Sequence, residues 1–549
     1  MTHNRHPRPP AKLCILLLLC LCLLCGCENL NQITGRNPEA EPAEPRYLRV
    51  VDDEPDTVDF QCTTLHYTVA LNVFNRLVET ETDEEGNTKI VPSLAESWSI
   101  SDDGLEYTFR LREGVTFSSG QKLTAEDVRY TFMRLLTHPM SRNREIAAEI
   151  AGAEMLTRRE TDDLAGFRVE GDYVFTIELA EPFPAFLACL STPAASILNE
   201  ESVTEAGDDF GLDPAKTIGT GPFIMEEWTP GKNMKLKANP DCWSGAPGFD
   251  GLELVYVTDE VEQRLRFERG ELDILDLDKL GDEAEYFIHG DKYRDRLYRA
   301  AQVDISYIAL NQSIEPLNDV NVRKALQTAL DRQMLLDAFY SGRGIVENGI
   351  FPHGLTGFNP DLEPIPYDPE EAKRLLEEAG YPDGFDLEIL VNISSGRTRR
   401  QMMQMVARMW EQIGVRSTVR VVTESEFMAK RTAGEAACYT ATWSADYNDP
   451  DNFIYSFFGS RENTLYRSLC YPDRDVIRRV QDARGIRDEK ERLAEYAALE
   501  KKIIREDAAW IPLFSRTHMY VTGERVEHFE TAWNGWCEPV YSRITLKQE

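Results

Sequence analysis

The stretch TWSADYNDPDNFIYSFF, residues 442–458, sets one carboxylate among several large aromatic side chains. Asp446 follows Trp443 by three residues and stands directly before Tyr447. A buried carboxylate needs a partner, and a charge-assisted contact is strong where aromatic walls exclude water. A local explanation is also open, because Asp and Asn commonly cap turns such as the one before the NDP tripeptide. The spacing alone therefore favours a turn cap, and a cation-binding side chain is the alternative.

Signatures of known catalytic sites are absent from the sequence. It contains no GxSxG elbow, no HExxH pair, no phosphate-binding GxxxxGK[ST] loop and no dinucleotide-binding GxGxxG. The glycines of GTGPF, residues 219–223, predict a tight turn instead. The 94 acidic residues keep a glycosidase pair open by number alone, so a secreted hydrolase stays a distant alternative. We expect a protein that is not an enzyme and that holds neither cofactor nor metal.

Composition and net charge indicate the class of protein and exclude some kinds of partner. The 549 residues are 42% hydrophobic and 28% charged, which is typical of globular proteins and exceeds one hydrophobic core. The formal net charge is −34. Such a chain repels nucleic acid, so we expect no nucleic-acid partner. We expect a monomer with two or more lobes.

The N-terminus resembles a bacterial lipoprotein signal. Basic residues precede the apolar run LCILLLLCLCLLCG, which is too short to span a bilayer. The run ends in LCGC, which is similar to a lipobox, so residues 1–26 are expected to be a signal peptide and Cys27 the lipidated residue. Residues 27–46 are polar and proline-containing and predict a flexible tether. Two acyl chains on Cys27 would anchor the protein outside the cytoplasm, on the outer face of the membrane or in the periplasm.

Six cysteines follow the lipobox. They are far apart and lack CxxC spacing, which argues against zinc. Outside the cytoplasm they could pair, but six cysteines allow about 15 connectivities and the sequence does not choose among them. The alternative is that they are small buried apolar side chains. The six are Cys62, Cys189, Cys242, Cys438, Cys470 and Cys537.

Local patterns alternate between strand and helix along the chain. Residues 105–111, LEYTFRL, alternate with period two and predict a half-buried strand. Residues 123–136 begin with a Thr-x-x-Asp capping box and continue as an amphipathic helix. Residues 367–385 predict another helix, in which Asp368 caps and Glu371 completes the box. The fold class is therefore α/β with more than one lobe.

Six blocks of the sequence resemble the family 5 extracellular solute-binding proteins, the peptide- and nickel-binding receptors of ABC importers. The blocks keep the family order from about residue 48 to residue 530. They are VPSLAESWSISDDGLEYTFRLREGVTFSSGQKLTAEDVRYTFMRL, GTGPFIMEEWTPGKNMKLKANPDCWSG, GLELVYVTDEVEQRLRFERGELDI, YIALNQSIEPLNDVNVRKALQTALDRQMLL, YDPEEAKRLLEEAGYPDGF and IREDAAWIPLFSRTHMYV.

This resemblance implies a fold and a set of boundaries. It implies a two-lobed periplasmic-binding-protein-like fold of the class II type, with two crossover strands between the lobes and an extra inserted α/β domain. Lobe I would comprise residues 47–76, 216–302 and 520–549. The inserted domain would comprise residues 77–215, and lobe II residues 303–519.

The resemblance also implies roles for the stretch quoted first. In the oligopeptide-binding branch a W-x-x-D-Y-N-[DE]-P motif lines the cleft, and here Trp443, Asp446 and Tyr447 occupy it. Asp446 would take the α-ammonium of a bound peptide, and the aromatic rings would supply contacts indifferent to peptide sequence. Some members hold a disulfide cysteine between the Trp and the Asp, where this chain has Ser444.

The group that contacts the ligand's C-terminus is not assigned by the sequence. Arg397, Arg399 and Arg400 form a basic cluster at a predicted helix start, and we interpret them as a solvated face.

The resemblance thus implies a membrane-anchored receptor that binds peptides in an interlobe cleft and delivers them to ABC permease subunits. Within the family, the ligand could instead be a dipeptide, a nickel complex, haem or a sugar-like molecule.

Overall fold

Strands from the beginning, middle and end of the chain meet in one mixed sheet. The computed structural model describes residues 45–64, 66–82, 88–531 and 539–547, so the predicted signal peptide and Cys27 lie outside the described residues. The described strands are β1 (Tyr47–Val51), β2 (Val78–Thr82), β3 (Thr88–Pro92), β4 (Ala95–Ile100), β5 (Glu106–Leu111), β6 (Phe167–Gly171), β7 (Val174–Glu178), β8 (Phe223–Thr229), β9 (Asn233–Ala238), β10 (Gly251–Val255), β11 (Ile274–Asp276), β12 (Leu297–Ala301), β13 (Asp304–Leu310), β14 (Gly344–Val346), β15 (Asp386–Asn392), β16 (Arg416–Val422), β17 (Cys438–Ser444), β18 (Trp510–Thr522), β19 (Val526–His528) and β20 (Thr545–Leu546).

Helices separate most of these strands. The described α-helices are α1 (Thr68–Val73), α2 (Ala125–Thr137), α3 (Ala153–Thr157), α4 (Phe186–Leu190), α5 (Glu200–Ala206), α6 (Glu260–Glu268), α7 (Ala284–Ile288), α8 (Val320–Thr328), α9 (Arg332–Tyr340), α10 (Pro369–Glu378), α11 (Gly396–Glu411), α12 (Glu424–Thr432), α13 (Pro450–Phe458), α14 (Arg461–Tyr466), α15 (Arg474–Ala483) and α16 (Glu489–Lys501). Short 3-10 turns occur between them, among them Arg144–Ala147.

The large sheet is continuous because one long strand belongs to both of its halves. The order is β16-β15-β17-β13-β18-β11-β1-β10-β9-β8, and β12 and β14 also pair with β18. The first half of β18 runs antiparallel to β13, with Ile511 opposite Ile308. The second half runs antiparallel to β12, with Tyr520 opposite Tyr298. The consecutive strands β12 and β13 and the single strand β18 therefore connect the two halves of the sheet.

A separate antiparallel sheet, in the order β4-β5-β7-β6, shares a core with α2. The period-two pattern of β5 buries Phe109 and Leu111 on one face, as predicted. Helix α2 begins with the predicted capping box between Thr124 and Asp127 and places Phe132 in the same core. Helix α4 lies against this core as well and forms part of the cavity described below.

Buried apolar side chains in the described residues form separate clusters along the chain. One cluster draws on residues 77–197 and two draw on residues 303–514. The others combine residues 48–74 and 198–293 with residues 519–546. The domain boundaries that the resemblance implies stay a prediction.

The predicted tight turn at GTGPF lies against the end of α1. The Gly221 backbone N–H donates to the Val73 carbonyl at 2.8 Å. A Cβ on Gly219 would lie 2.0 Å from the Val73 oxygen, and one on Gly221 would lie 2.5 Å from the Val73 carbonyl carbon. Only glycine permits this close approach.

One predicted helix cap is wrong in part. Asp368 caps α10 by accepting from the Glu371 backbone N–H at 3.0 Å, as expected. The Glu371 carboxylate, however, turns to the Arg374 guanidinium one turn further on and accepts from its Nε at 2.7 Å. The Asp368 backbone N–H, which Glu371 would accept in a complete box, donates instead to the Thr328 carbonyl at 2.9 Å.

The cysteine pairing left open by the sequence is resolved for the described residues. Cys62, Cys189, Cys242, Cys438 and Cys470 are free, and Cys537 lies outside the described residues. Burial raises the pKa of the Cys189 and Cys438 thiols, so both behave as small apolar side chains. Among the described helices, none is long and apolar enough to cross a membrane.

Candidate ligand-binding cleft

A cavity of about 790 Å³ lies between two stretches of the chain. The first wall consists of residues 142–149 and 183–194 together with Thr64 and Tyr67, and the second wall consists of residues 443–484. The structure brings together in the second wall the three side chains that the sequence predicts, Trp443, Asp446 and Tyr447.

A second hollow of about 720 Å³ lies between α2 and α5, and it is more open to solvent. Both arginines that line it are already paired within the protein. Arg134 pairs with Asp59 at 2.6 Å, and Arg129 pairs with Asp163. It contains none of the predicted site residues, so the cleft is the stronger candidate.

The start of α13 positions the second wall. Strand β17 ends at Ser444, and α13 begins after Asp449, whose Oδ1 accepts from the Asp451 backbone N–H at 3.0 Å. Arg492 holds the same carboxylate through two contacts of 2.8 Å, and both side chains are buried. The residue that caps α13 is therefore Asp449 and not Asp446.

Asn452 orients both Asp446 and Trp443. Its Oδ1 accepts from the Asp446 backbone N–H at 3.0 Å and from Trp443 Nε1 at 3.3 Å. Its Nδ2 donates to Asp446 Oδ2 at 3.0 Å. Asn452 is buried, so the Asp446 carboxylate is held in a fixed direction by one rigid amide.

The Asp446 carboxylate lines the cavity, and the residue keeps an exposed surface there. Burial raises the pKa of Asp446 above its ordinary value, and the Asn452 amide and the charge of Arg467 offset this only in part. Within the described residues it makes no ion pair. A carboxylate that lines a cavity and lacks an ion-pair partner favours a cation from outside the chain.

The guanidinium of Arg467 lies on the aromatic face beside Asp446. The Arg467 guanidinium carbon lies 4.4 Å from the centre of the Trp443 ring and 5.0 Å from that of Phe457. Trp443 in turn packs edge-on against Phe457, at 5.3 Å between ring centres. Arg467 lines the cavity and forms no ion pair with the described carboxylates. The second wall thus presents a negative and a positive group separated by an aromatic ring.

Tyr447 and Arg484 join the two walls. Tyr447 donates to Asp451 Oδ2 at 2.9 Å and packs against the core of residues 77–197. Arg484 pairs with Asp451 at 2.9 Å and, across the cleft, with Glu149 of the first wall at 3.0 Å. Its guanidinium also lies 4.6 Å from the centre of the Phe183 ring.

The first wall adds Glu145, which the sequence analysis does not single out. Burial raises the pKa of Glu145 to about 7, and the negative charge of Asp446 contributes to this rise. Glu145 makes no side-chain hydrogen bond or ion pair with the described residues. Arg142 also lines the cavity without an ion pair to the described residues. Both stand in SRNREIAAEI, whose charged pattern is typical of a solvated surface, so no sequence signal reveals them.

The basic cluster at the start of α11 is not uniformly solvated. Arg397 is exposed, as predicted. Arg399 is half-buried and donates to Thr442 Oγ1 on β17 at 2.5 Å. Burial lowers the pKa of Arg399. The solvated-face prediction is therefore wrong for Arg399, because the helix start packs onto β17.

One group of three side chains elsewhere in the described residues has a geometry that could hold a metal. The ligand atoms of Asp276, Asp278 and His518 lie within 4.8 Å of one another. His518 Nε2 is 2.8 Å from Asp276 Oδ1, and the Gln302 side-chain amide lies 2.9 Å from His518 Nδ1. An ion pair between His518 and Asp276 accounts for this group.

Comparison with known proteins identifies the family. Residues 89–464 match the family model described as bacterial extracellular solute-binding proteins, family 5 Middle. The chain belongs to this family. Family 5 proteins are transport binding proteins and not enzymes, and the chain is the extracytoplasmic solute-binding protein of an ABC importer.

Two relatives and one solved structure illustrate the range of family 5. The chain is 30% identical to the heme-binding protein A of Haemophilus influenzae over 459 residues, which cover 80% of this chain and 81% of the relative. It is 28% identical to the dipeptide-binding protein of Escherichia coli over 466 residues, covering 82% and 84%. A periplasmic binding protein of Helicobacter pylori, solved with the peptide STSA, shares the fold with a TM-score of 0.71 and 24% identity, covering 91% of this chain and 98% of that one.

These likenesses confirm the predicted α/β fold of the periplasmic-binding-protein type, with mixed sheets and an extra antiparallel sheet. The large sheet and the sheet β4-β5-β7-β6 are those parts in this chain.

Proposed function

We propose that the protein captures short peptides with a free N-terminus in the cleft and delivers them to the permease of an ABC importer. The observation that carries this proposal is the Asp446 carboxylate, which Asn452 fixes toward a cavity and which lacks an ion-pair partner among the described residues. A peptide α-ammonium is positively charged near neutral pH and would supply the missing partner. Trp443 and Tyr447 offer aromatic contacts that suit many sequences.

Arg467 is proposed as the partner of the peptide's carboxylate end. Its guanidinium is fixed on the Trp443 ring and forms no ion pair with the described residues. Guanidinium groups match carboxylates well, since they offer a planar fork of donors. A peptide lying over Trp443 would then meet a negative group at one end and a positive group at the other.

Closure of the cleft is the proposed mechanism of ligand coupling. A ligand that contacts both walls favours the state in which they are close together, and the permease would recognise that state. The contact of Arg484 with Glu149 supports this, because it shows that groups of the two walls can pair directly. The proposal includes a lipid anchor at Cys27 that keeps the protein near the permease.

The test is to identify the ligand. Protein purified under mild conditions is partly denatured, and the released molecules are identified by mass spectrometry. Intact short peptides are expected. Recovery of no peptide, or cleavage of added peptides during incubation, would contradict the proposal, and cleavage would revive the hydrolase alternative.

Haem is a second candidate ligand, because the relative with 30% identity carries the name heme-binding protein A. The cavity includes the tyrosines Tyr67, Tyr455 and Tyr466, which could stack on a flat ring. Titration with haemin distinguishes this candidate: a shifted Soret band that saturates at one equivalent would favour haem over peptides.

A further inference from the structure

The two walls of the cleft present one unpaired carboxylate each. Asp446 stands on the second wall and Glu145 on the first, and both line the same cavity. Their charges interact, since Asp446 contributes to the raised pKa of Glu145. Two negative carboxylates on opposite walls of one cavity oppose closure unless a cation comes between them.

The local structure places Glu145 at the cavity. It lies in the 3-10 turn Arg144–Ala147, where successive side chains point about 120° apart. Arg144 turns away from the cavity and donates to the carbonyls of Leu136 at 3.2 Å and His138 at 2.6 Å, at the end of α2. Ile146 is buried in the core. Glu145 lines the cavity from this turn, next to Ile146.

Anchors on both sides keep this turn in place. The Asn143 side chain, directly before it, donates to the carbonyls of Phe60 at 3.1 Å and Thr63 at 2.7 Å. Ala147 is fully buried on its other side. The turn that carries Glu145 is therefore held in place on both sides, and the exposed Glu145 side chain projects from it.

We infer that Glu145 is a specificity-determining residue that binds a positively charged side chain on the first residue of the ligand. This rests on the proposed function, in which Asp446 takes the α-ammonium of the same residue. The pair supplies two negative charges at one end of the cavity. A first residue of Lys or Arg supplies two positive charges there, and its long side chain can reach from the second wall toward the first.

The charge inventory of the cavity supports this assignment. Glu149 is already paired with Arg484. Of the other charged lining residues, Glu145 and Asp446 are the negative ones and Arg142 and Arg467 the positive ones. The basic first residue of a peptide would complement Glu145 and Asp446. The free carboxylate at the C-terminal end of the peptide would complement Arg142 and Arg467.

The test is competitive binding from a defined mixture. Twenty synthetic tripeptides of the form Xaa-Ala-Ala, with free termini and in equal amounts, are incubated with the wild-type protein and the bound peptides are quantified by mass spectrometry. Lys-Ala-Ala and Arg-Ala-Ala are expected to be enriched about tenfold over Ala-Ala-Ala, and Glu145→Gln is expected to abolish the enrichment. The control is Glu154→Gln, an exposed carboxylate outside the cavity, which is expected to leave the enrichment unchanged.

Calorimetry of the wild-type protein gives an independent readout that does not depend on a variant. Burial and the charge of Asp446 raise the pKa of Glu145 to about 7, so some of the free molecules carry its proton near neutral pH. A bound lysine side chain would expel that proton. Titration with Lys-Ala-Ala in buffers of different ionisation enthalpy is expected to show more proton release per peptide than titration with Ala-Ala-Ala.

Each outcome decides a different claim. Peptide binding without the enrichment, or enrichment that persists in Glu145→Gln, would overturn the role of Glu145 and leave the proposed function standing. Failure of all twenty peptides to bind would overturn both. Equal proton release with Lys-Ala-Ala and Ala-Ala-Ala would also overturn the role of Glu145.

Discussion

Asn452 sets the direction of the two side chains on which peptide recognition is proposed to depend. One amide accepts from Trp443 Nε1 and the Asp446 backbone N–H and donates to the Asp446 carboxylate. This uses all but one of its hydrogen-bonding positions, so its orientation is determined by the network. Asp446 therefore stays available to the cavity and does not turn back to cap the helix that follows.

Replacing Asp446 with Asn keeps the shape of the side chain and removes its charge. We expect free-amine peptides to lose affinity by roughly 30- to 5,000-fold, or about 2–5 kcal/mol, because an ammonium is left desolvated beside a neutral amide. N-acetylated peptides carry no ammonium, so they are expected to bind the wild type weakly and to lose little more in the variant. Calorimetry on both proteins with both peptides measures the coupling.

The matched control is Asp482→Asn, which removes an exposed carboxylate of the second-wall helix α15. It is expected to leave both affinities unchanged. A coupling energy near zero between the Asp446 substitution and acetylation would remove the proposed role of Asp446.

At the scale of elements, helix α13 is the part on which the second wall depends. Asp449 caps its first turn and is paired with Arg492 of α16, and each side chain is only 5% exposed. The ion pair thus fixes the helix start relative to α16, and with it Tyr447, Asp451 and Asn452. Removing one partner of such a buried ion pair lowers the stability of the fold strongly, because the other charge stays buried without a partner.

Arg492→Leu tests this dependence. We expect a loss of about 3–5 kcal/mol in stability, seen as a lower urea midpoint, because Asp449 stays buried without its partner. Arg478→Leu on α15 is the control, since Arg478 pairs with Asp475 and Asp482 at the surface and is expected to cost about 1 kcal/mol or less. Similar losses in the two variants would show that the buried pair does not hold the wall.

At the scale of the whole molecule, β18 and the β12–β13 pair connect the two halves of the large sheet. His518 lies in β18 and is 93% buried, with 7% of its surface exposed. Burial is the largest influence and opposes its charge, but the charge and hydrogen bond of Asp276 together with the charge of Asp278 raise the pKa of His518, against a smaller opposing effect of Arg516. The same pairing lowers the pKa of Asp276 in spite of its burial.

The directions of the pKa shifts of His518 and Asp276 predict the pH range in which this ion pair stabilises the fold. Unfolded His titrates near pH 6.5 and unfolded Asp near pH 3.9. The pair's contribution to stability is therefore complete between about pH 4 and pH 6.5. It is lost as the pH rises through the folded pKa of His518, and it is lost as the pH falls through the folded pKa of Asp276.

His518→Gln should consequently lower the free energy of unfolding most between about pH 5 and pH 6, by about 1–3 kcal/mol, and lower the melting temperature with it. The difference from the wild type should narrow toward pH 9. His289→Gln is the control, because the His289 side chain is 78% exposed and should matter little at any pH. Calorimetric scans across this range give the comparison. A difference that stays constant with pH would contradict the ion pair.

Cys27→Ala tests the proposed anchor, which concerns the location of the whole molecule. Without the acceptor thiol, acylation cannot occur, so the variant is expected to accumulate as an unprocessed precursor. Labelling of cells with a radioactive fatty acid, followed by isolation of the protein, measures this. Normal lipid labelling of the variant would show that the anchor lies elsewhere.

The sequence by itself determined the local structure and the family. The alternation in residues 105–111 and the capping box at Thr124 appear in the structure because each depends on neighbours within a few positions. The ordered sequence blocks imply the family fold because they extend over most of the chain. The family model likewise matches residues 89–464. The position of Asp446 in an aromatic motif was likewise visible in the sequence.

Tertiary structure alone decided which charges lack partners. Arg399 looks solvated in sequence but packs on β17, whereas Glu145 looks like a surface residue and faces the cavity. Asp446 and Asp449 are aspartates of the same short stretch, and the sequence does not show which of them is paired. Arg492, from a helix distant in the chain, pairs with Asp449, whereas the Asp446 side chain is bonded, within the described residues, only to the neutral amide of Asn452. Whether a charge is satisfied depends on groups that are near in space and far apart in the chain, and no local pattern encodes that distance.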